Sequence, residues 1–388
     1  MKIRLSLIIC FFSFQLTLSQ ILSSNAEISV LTIGPGNSLN DAFGHNGFRI
    51  KDQAQSIDVV FDYGRFPFNE PGFYLNFARG KLSYSIGADA FNDVIRFYTR
   101  QKRTIKEQVL NLSLSEKQNL FNFLLNNYKP ENKDYLYDFF FDNCATKIRD
   151  VADTTLNNAI VFNTPEDYKP QTFRTLIHNN LNKNSWGSLG IDIALGSIID
   201  KVATPEEQMF LPENIHKFFG EANLKDGKPL VSKSHIINSK QEKAAKSNIL
   251  LSPLAIFSLL ALGILWITYS DYKNKKRTKW LDITLFSITG IIGVFLLLLW
   301  FATDHSTTAH NYNLLWAFAL NVFMIGQLRK VKPKVWCIKY LKFLLIMLCL
   351  LVFHWVVGVQ VFAITLIPLL VALAVRYVYL VNHFQINK

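Results

Sequence analysis

The last third of the chain limits the possible folds most, because it alternates long apolar segments with short polar loops. A helix needs about 20 predominantly apolar residues to cross a bilayer core. Five segments approach or exceed that length, and the third is the shortest: 249–270, 281–301, 313–328, 340–357 and 360–380. The sequence therefore predicts that residues 249–388 form an all-α bundle of about five transmembrane helices.

The net charge of +12 is unevenly distributed along the chain. Much of the positive excess falls in two loops between apolar segments: Lys273, Lys275, Lys276, Arg277 and Lys279 in the first, and Arg329, Lys330, Lys332, Lys334, Lys339 and Lys342 in the second. The loop between them, 302–313, has no Lys or Arg. Basic loops face the cytoplasm in membrane proteins, so residues 20–248 are expected outside the cytoplasm and the C-terminus inside it. This pattern explains the charge, and no nucleic-acid partner is predicted.

The start of the chain has the organisation of a secretory signal. Two basic residues precede an apolar run, 5–18, that is too short to span a membrane comfortably. We expect cleavage near Ser19, which makes 1–19 a signal peptide and 20–225 an exported domain. The polar, lysine-rich stretch 226–248 is predicted to be the linker to the membrane domain.

The exported domain contains a single cysteine, Cys144. An unpaired thiol in an oxidising compartment is open to oxidation, so a chain that keeps one is expected to use it. A helix is predicted to begin here, with Asp142 as its N-cap, and a helix N-terminus near an imidazole favours the thiolate. The alternative interpretation, a small buried core residue, is outweighed by export and by the absence of a second cysteine. No Cys and His residues have metal-ligand spacing, so no metal site is predicted.

The candidate base for this thiol is one of four histidines: His45, His178, His216 and His235. His45 differs from the others because it has glycines on both sides, which allow close approach of a substrate, and because it stands at the head of a predicted strand. A third polar group should orient the imidazole. If the following hairpin pairs Ile50 with Ile57, the residue that faces His45 is Asp62, whereas another register offers Asp58.

The exported domain has the pattern of an α+β fold. Glu27–Ile33 has strand character and ends at a Gly-Pro-Gly turn. Two antiparallel strands, 47–50 and 57–63, flank a polar loop. Helices are predicted at 91–98 and 113–128, and the second opens with a capping box.

Four stretches of the sequence resemble the Lnb family: 43–50 (Phe-Gly-His-Asn-Gly-Phe-Arg-Ile), 62–66 (Asp-Tyr-Gly-Arg-Phe), 140–150 around Asn143-Cys144, and 313–316 (Asn-Leu-Leu-Trp). Members pair an N-terminal periplasmic domain with a multi-span membrane tail. The resemblance implies a multi-pass inner-membrane protein that transfers an acyl chain to lipoprotein N-termini, with Cys144 as nucleophile and His45 as base. It also implies a phospholipid acyl donor, a diacylated lipoprotein acceptor, contact with membrane lipids and no cofactor.

More distantly, a His at a strand start followed far downstream by Asn-Cys at a helix start is similar to circularly permuted papain-like thiol enzymes. These include the NlpC/P60 group and lecithin:retinol acyltransferase. The likeness implies a permuted papain-like exported domain and an acyl thioester on Cys144. The second polar residue of these enzymes follows the His on the next strand, which fits Asp58 or Asp62, although lecithin:retinol acyltransferase has an imidazole there. Four residues in the shared motifs and the outer loop are expected to contact substrate: Asn143, Arg49, Tyr63 and His305.

Two other functions remain open from the sequence. A cell-wall amidase or peptidase of the NlpC/P60 type would use the same Cys144 and His45, but it would cleave with water and would not need the membrane tail. A non-catalytic membrane sensor or binding protein would tolerate Cys144→Ser.

Overall fold

The computed structural model describes residues 20–66, 72–81, 83–239 and 248–386. The predicted signal peptide, 1–19, lies outside the described residues. The chain forms a mixed α+β N-terminal domain, built on a large sheet, and a helical C-terminal part. The predicted α+β class is therefore confirmed.

The elements are numbered along the chain. The strands described are β1 (Glu27–Ile33), β2 (His45–Asp52), β3 (Ile57–Arg65), β4 (Ser83–Ala90), β5 (Ile105–Leu110), β6 (Asp134–Leu136), β7 (Ile160–Val161), β8 (Asn223–Leu224) and β9 (Val231–Asn238). The helices of the N-terminal domain are α1 (Phe73–Arg79), α2 (Phe91–Arg100), α3 (Leu114–Asn127), α4 (Cys144–Thr155), α5 (Phe173–Asn180), α6 (Trp186–Ala194), α7 (Pro205–Gln208) and α8 (Pro212–Glu221). Those of the C-terminal part are α9 (Pro253–Lys273), α10 (Lys279–Phe301), α11 (Asn321–Leu328), α12 (Trp336–Val356) and α13 (Ile367–Ile386).

Seven strands form one antiparallel sheet in the order β6-β4-β3-β2-β1-β5-β9. Almost every residue of β1 is buried, because helices cover both faces of the sheet. The predicted strand Glu27–Ile33 and the β2–β3 hairpin are confirmed. The hairpin register differs from the predicted one, since Ile50 pairs with Val59 and not with Ile57.

The larger core lies on the face of the sheet that packs against α3, α4 and α8. Phe48 and Phe61 of the sheet meet Phe121 and Phe219 of these helices in one buried cluster. The opposite face is covered by α2, which joins β1 and β3 in a smaller cluster. Burial of this apolar surface holds α4 against β2 and β3, and it places Cys144, the first residue of α4, beside the sheet.

The N-terminal domain extends further along the chain than predicted. Val231–Asn238 forms the edge strand β9 and pairs with β5. The prediction that 226–248 is a linker is therefore wrong over this strand. The polar residues of β9 suggested a loop because an edge strand exposes one face and carries charged side chains there.

Within the described ranges, four helices are long and apolar enough to cross a membrane: α9, α10, α12 and the segment Ile364–Ile386, which includes α13. The third predicted helix, 313–328, is not continuous. It consists of a 3-10 turn, Tyr312–Leu315, an irregular stretch and the eight-residue helix α11. A helix of that length spans only about 12 Å at 1.5 Å per residue.

The interrupted third segment nevertheless runs from one end of the bundle to the other. At its start, the Tyr312 amide donates to Gln360 Oε1 (2.8 Å), in the connection between α12 and α13. At its end, the Leu328 carbonyl accepts from Arg277, in the connection between α9 and α10. A Cβ on Gly293 of α10 would collide with the irregular backbone. Such backbone is tolerated at membrane depth only where protein buries it, and the glycine allows that contact.

The N-terminal domain is hydrogen-bonded to one end of the bundle. The side-chain amide of Asn311 donates to the carbonyls of Ile193 (2.8 Å) and Ala194 (3.0 Å). That of Asn313 donates to the Asp192 carbonyl (2.9 Å). Both asparagines are buried. The C-terminal end of α6 is therefore fixed to the loop that follows α10.

Candidate active site

Cys144 is the first residue of α4, and Asn143 caps the helix in front of it. Asn143 Oδ1 accepts hydrogen bonds from the amides of Ala145 (2.8 Å) and Thr146 (2.9 Å), and its Nδ2 donates to two backbone carbonyls. The predicted N-cap, Asp142, is therefore wrong by one residue. Because Asn143 is buried and its polar atoms are occupied, it fixes the helix start and is not available to a substrate, contrary to the prediction.

His45 begins β2 directly after Gly44, whose φ is +87°. A Cβ at Gly44 would lie 2.6 Å from the carbonyl oxygen of Ile33, so only glycine allows the chain to enter the strand in this way. His45 Nε2 lies 2.8 Å from Asp62 Oδ2, and Cys144 is close enough to the same ring to raise its pKa. The His45 and Asp62 side chains are only 19% and 15% exposed. The structure thus brings these three predicted site residues together.

Asp62 reaches His45 diagonally across the β2–β3 ladder. Its direct partner in the register is Gly47, so Asp62 and His45 are diagonal neighbours on one face of the sheet. The predicted register differs from the observed one by two residues. Because side chains alternate between the two faces of a strand with a period of two, the prediction still selects the correct face. An ionised carboxylate only accepts hydrogen bonds, so we assign the proton to His45 Nε2. This assignment leaves Nδ1 as the nitrogen that can accept the thiol proton.

Opposing effects set the pKa of each group in this pair. Burial lowers the pKa of His45, but the Tyr98 hydroxyl, the Cys144 thiol and the hydrogen bond to Asp62 raise it, and it lies well above its ordinary value. Burial raises the pKa of Asp62, but the hydrogen bond to His45 and the charge of Arg65 lower it below its ordinary value. At neutral pH the site therefore contains a carboxylate and an imidazole that readily holds a positive charge.

Arg65 is a site residue that the sequence did not indicate. Its Nε donates to Asp62 Oδ1 (2.6 Å), and a terminal nitrogen donates to Asp89 Oδ2 (2.6 Å). The guanidinium occupies space that a Cβ on Gly87 would fill. The β3–β4 register shifts between Asp62 and Arg65, and such irregularities re-aim side chains. The only signal available in the sequence was an arginine three residues after the candidate carboxylate.

Asp58 and Arg49 belong to a different cluster. Arg49 Nε and a terminal nitrogen donate to the two carboxylate oxygens of Asp58 (2.7 and 2.8 Å), and its other terminal nitrogen donates to Glu107 (3.1 Å). The guanidinium also stacks on the ring of Phe91. Asp58 is therefore not the partner of His45. Arg49 is buried and held by two carboxylates, so the expectation that it contacts substrate is not supported by its position.

Tyr63 is a core residue. Its side chain is buried, its hydroxyl donates to Asn127 Oδ1 (2.7 Å), and its ring packs edge-on against Tyr135. The expectation that Tyr63 contacts substrate is therefore not supported by its position, because its side chain points into the core and its hydroxyl is hydrogen-bonded there.

Tyr137 lies beside the site instead. A Cβ on Gly64, whose φ is +95°, would lie 3.7 Å from Cys144 Cβ and 4.0 Å from the Tyr137 ring. Tyr137 stacks on Tyr84 with 4.1 Å between ring centroids. Burial and the neighbouring Cys144 raise the pKa of Tyr137 well above its ordinary value, so its hydroxyl stays protonated. The sequence gave no reason to select this tyrosine among its many aromatic neighbours.

His305 lies in the loop after α10 and contacts the N-terminal domain next to the site. Its Nε2 lies 3.0 Å from the Phe77 carbonyl oxygen, and the adjacent Ser306 donates to Asp138 Oδ2 (2.8 Å). Asp138 belongs to the loop that leads to Cys144. The outer loop of the bundle thus supports the chain just before the nucleophile candidate, while substrate binding by His305 stays a prediction.

The described part of the chain contains no group of three His, Cys, Asp or Glu side chains that could hold a metal ion. What the site offers is a thiol at a helix start, an imidazole with a defined tautomer, and a carboxylate fixed by an arginine. This arrangement suits nucleophilic catalysis by a thiolate.

Two family models match the sequence. The Lnb N-terminal periplasmic domain matches residues 14–179, which include all three clustered site residues, and the Lnb transmembrane domain matches residues 244–387. Comparison with curated proteins and with solved structures gave no match. The chain is a membrane protein with an N-terminal periplasmic domain, and it belongs to the Lnb family.

Proposed function

We propose that this protein is a cysteine-dependent acyltransferase that acylates the N-termini of lipoproteins. The main support is the cluster of Cys144, His45 and Asp62 at the start of α4. The second support is the fixed position of this domain on the end of a membrane bundle, where lipid substrates are found. The resemblance to the Lnb family supplies the substrate class.

In the first half-reaction, the donor is a phospholipid. His45 takes the proton of Cys144, and the thiolate attacks the carbonyl carbon of an acyl ester. The new C–S bond forms as the C–O bond breaks, and the imidazolium gives its proton to the departing lysophospholipid oxygen. The acyl chain then rests on Cys144 as a thioester.

In the second half-reaction, the acceptor is the free α-amine of a diacylglyceryl-modified N-terminal cysteine. The amine attacks the thioester carbonyl, a C–N bond forms and the C–S bond breaks. The proton released by the amine passes through His45 to the departing thiolate. Ester to thioester to amide runs downhill overall, so the cycle needs no nucleotide or metal, and it should show ping-pong kinetics.

Both substrates are anchored in lipid, which gives the membrane bundle a function. A site held at the membrane surface meets them in a thin layer and therefore at a high effective concentration. The proposal places the protein in the inner membrane as a multi-pass protein with its C-terminus in the cytoplasm, in line with the basic loops at one end of the bundle.

We also propose that the periplasmic domain is a permuted papain-like fold. The supporting features are the chain order and the packing: a histidine begins β2, its carboxylate partner follows on β3, and the cysteine begins a later helix that packs on the same sheet.

The decisive experiment is the intact mass of the full-length protein after incubation with phosphatidylethanolamine vesicles. We expect a mass increase of one acyl chain that neutral hydroxylamine removes. Cys144→Ala should abolish the adduct. Cys349→Ala is the matched control, because Cys349 is exposed but lies in α12, and it should keep the adduct.

An adduct that persists in Cys144→Ala would contradict the proposal. In cells, mass spectra of lipoprotein N-termini from a deletion strain carrying Cys144→Ala or His45→Ala should lack the N-acyl chain. Unchanged lipoproteins together with cleaved muropeptides would instead favour the amidase or peptidase alternative. Unchanged lipoproteins without any cleavage would favour a non-catalytic sensor.

A further inference from the structure

Helix α1 exposes large apolar side chains although it belongs to the domain outside the bundle. Leu75 is 61% exposed and Phe77 is 55% exposed. At 3.6 residues per turn, positions two apart point to nearly opposite sides of a helix. A short helix that shows apolar groups on opposite sides has no single face for a protein core. The surface of α1 therefore suits an apolar environment that contacts the helix from more than one side.

Hydrogen bonds fix α1 at the level where the bundle ends. The Asp304 amide donates to the Arg79 carbonyl (2.9 Å), and His305 Nε2 lies 3.0 Å from the Phe77 carbonyl oxygen. Three residues before Asp304, α10 ends at Phe301, which is 73% exposed. The end of an apolar helix of this length marks the edge of the hydrocarbon layer. The position of α1 therefore coincides with the membrane surface.

Aromatic side chains lie between the strand that follows α1 and the nucleophile candidate. Tyr84, at the start of β4 and soon after α1, lies 4.8 Å from the Phe66 ring and 4.1 Å from the Tyr137 ring, measured between centroids. Tyr137 in turn flanks Gly64, next to Cys144. These ring contacts place an aromatic surface next to Cys144, and it begins at Tyr84, in the strand that follows α1.

We propose that α1 inserts Leu75 and Phe77 into the outer leaflet, and that a phospholipid acyl chain passes from there along Tyr84 and Tyr137 to Cys144. The bilayer surface is the occupant because α1 is continuous with the outer end of the membrane-spanning bundle. The route to Cys144 rests on the proposed function, whereas the lipid contact of α1 does not.

Photo-crosslinking of the full-length protein tests the lipid contact directly. Benzoylphenylalanine is placed at position 75, 77 or 114, one at a time, in nanodiscs of phosphatidylethanolamine and phosphatidylglycerol. Leu114 is the matched control, because it is also an exposed apolar helix residue, 45% exposed. Leu114 comes shortly after Leu110, the last residue of β5, and this end of β5 is the one far from His45. After irradiation, we expect phospholipid adducts at positions 75 and 77. At position 114 we expect labelling no higher than background.

The outcomes separate this inference from the proposed function. Background labelling at positions 75 and 77, or equal labelling at all three positions, would overturn the inference even if Cys144 still forms the thioester. Labelling at 75 and 77 without any thioester on Cys144 would support the membrane contact and overturn the proposed acyl transfer together with the route.

A second pair of variants tests the route. Leu75→Asp should slow acylation of Cys144 by bilayer phospholipid, because a carboxylate resists insertion into lipid, but it should not slow acylation by a monomeric short-chain phospholipid. Leu114→Asp should change neither rate. Equal slowing of both substrates by Leu75→Asp, or unchanged rates with both, would overturn the route, because the route predicts slowing with the bilayer substrate alone.

Discussion

At the residue scale, the side chains of Arg65, Asp62 and His45 form a hydrogen-bonded row, and each positions the next. Arg65 holds one oxygen of Asp62, and His45 is bound to the other (2.6 and 2.8 Å). Because each oxygen of Asp62 has its own partner, the carboxylate is held in one orientation. The carboxylate in turn fixes the tautomer of the His45 imidazole. The raised pKa of His45 means that the imidazolium persists to a higher pH than for a free histidine. In the proposed mechanism, the imidazolium is therefore available as the acid that protonates the leaving alcohol.

Asp62→Asn should lower the rate of Cys144 acylation by about 10²-fold. Without the negative charge, the pKa of His45 falls, and the imidazolium is lost at a lower pH. The alkaline limb of the single-turnover acylation profile should therefore move to lower pH. Asp58→Asn is the control, since Asp58 pairs with Arg49, and it should leave the limb in place. An Asp62→Asn profile with an unmoved limb would show that this carboxylate does not act through His45.

Gly87→Ala should reduce acylation by about 10-fold to 100-fold although residue 87 touches no reacting atom, because small misplacements of site groups have effects of this size. The added Cβ would collide with the guanidinium of Arg65 and push it away from Asp62. The alkaline limb should shift as in Asp62→Asn, but less far. Gly190→Ala, with nothing within 4 Å of its new Cβ, is the control. A Gly87→Ala variant with a normal acylation rate and pH profile would leave Arg65 without a positioning role.

The sequence could predict the site residues whose signal is local. Cys144 is indicated because it is the single cysteine of the exported domain, and His45 because glycines flank it. Asp62 is one of the two carboxylates, with Asp58, that a hairpin register could place near His45. Arg65 and Tyr137 could not be predicted, because an irregularity in strand pairing and the stacking of distant rings position them. The burial of Tyr63 could not be predicted either, because a motif match does not show which face of a strand is buried.

At the element scale, elements with strong local patterns were predictable. The capping box at Ser113 and Glu116, and the β-forming residues of β1 before its Gly-Pro-Gly turn, predict the correct elements. Two strands lack such a pattern: β4 has small and polar residues, and β9 is a polar edge strand. They form strands because they pair with β3 and β5. The interruption before α11 likewise depends on the glycine-lined surface of α10, a tertiary contact that hydropathy does not reveal.

Gly293→Ala should destabilise the bundle by about 1–3 kcal/mol, the usual effect of overpacking. The new Cβ would meet the backbone of the interrupted segment, which cannot retreat without breaking its own contacts. Gly263→Ala in α9 is the control, since nothing lies within 4 Å of its Cβ, and its effect should stay within about 1 kcal/mol. Detergent-titrated unfolding measures both. Equal stability of the two variants would indicate that the interrupted segment does not pack against α10.

At the scale of the whole molecule, the candidate site and the membrane bundle are different parts of the chain, so the proposal assigns the chemistry and the access to lipid to separate regions. The cluster of Cys144, His45 and Asp62 lies entirely within the N-terminal domain. The loop after α10 holds the end of α6, and with it that domain, on the bundle through Asn311 and Asn313. Damage to this junction should therefore affect access to membrane substrates and leave the reactivity of the thiol intact.

Asn313→Asp tests this separation. It replaces an amide that donates to the Asp192 carbonyl (2.9 Å) with a carboxylate that repels it, which should weaken docking by about 2 kcal/mol. Acylation by bilayer phospholipid should fall, hydrogen exchange should rise in residues 186–200, and alkylation of Cys144 by iodoacetamide should be unchanged. Asn179→Asp, at an exposed position of α5, is the control for the added charge. If alkylation slowed in parallel with acylation, the junction would be part of the chemical site and not only its anchor.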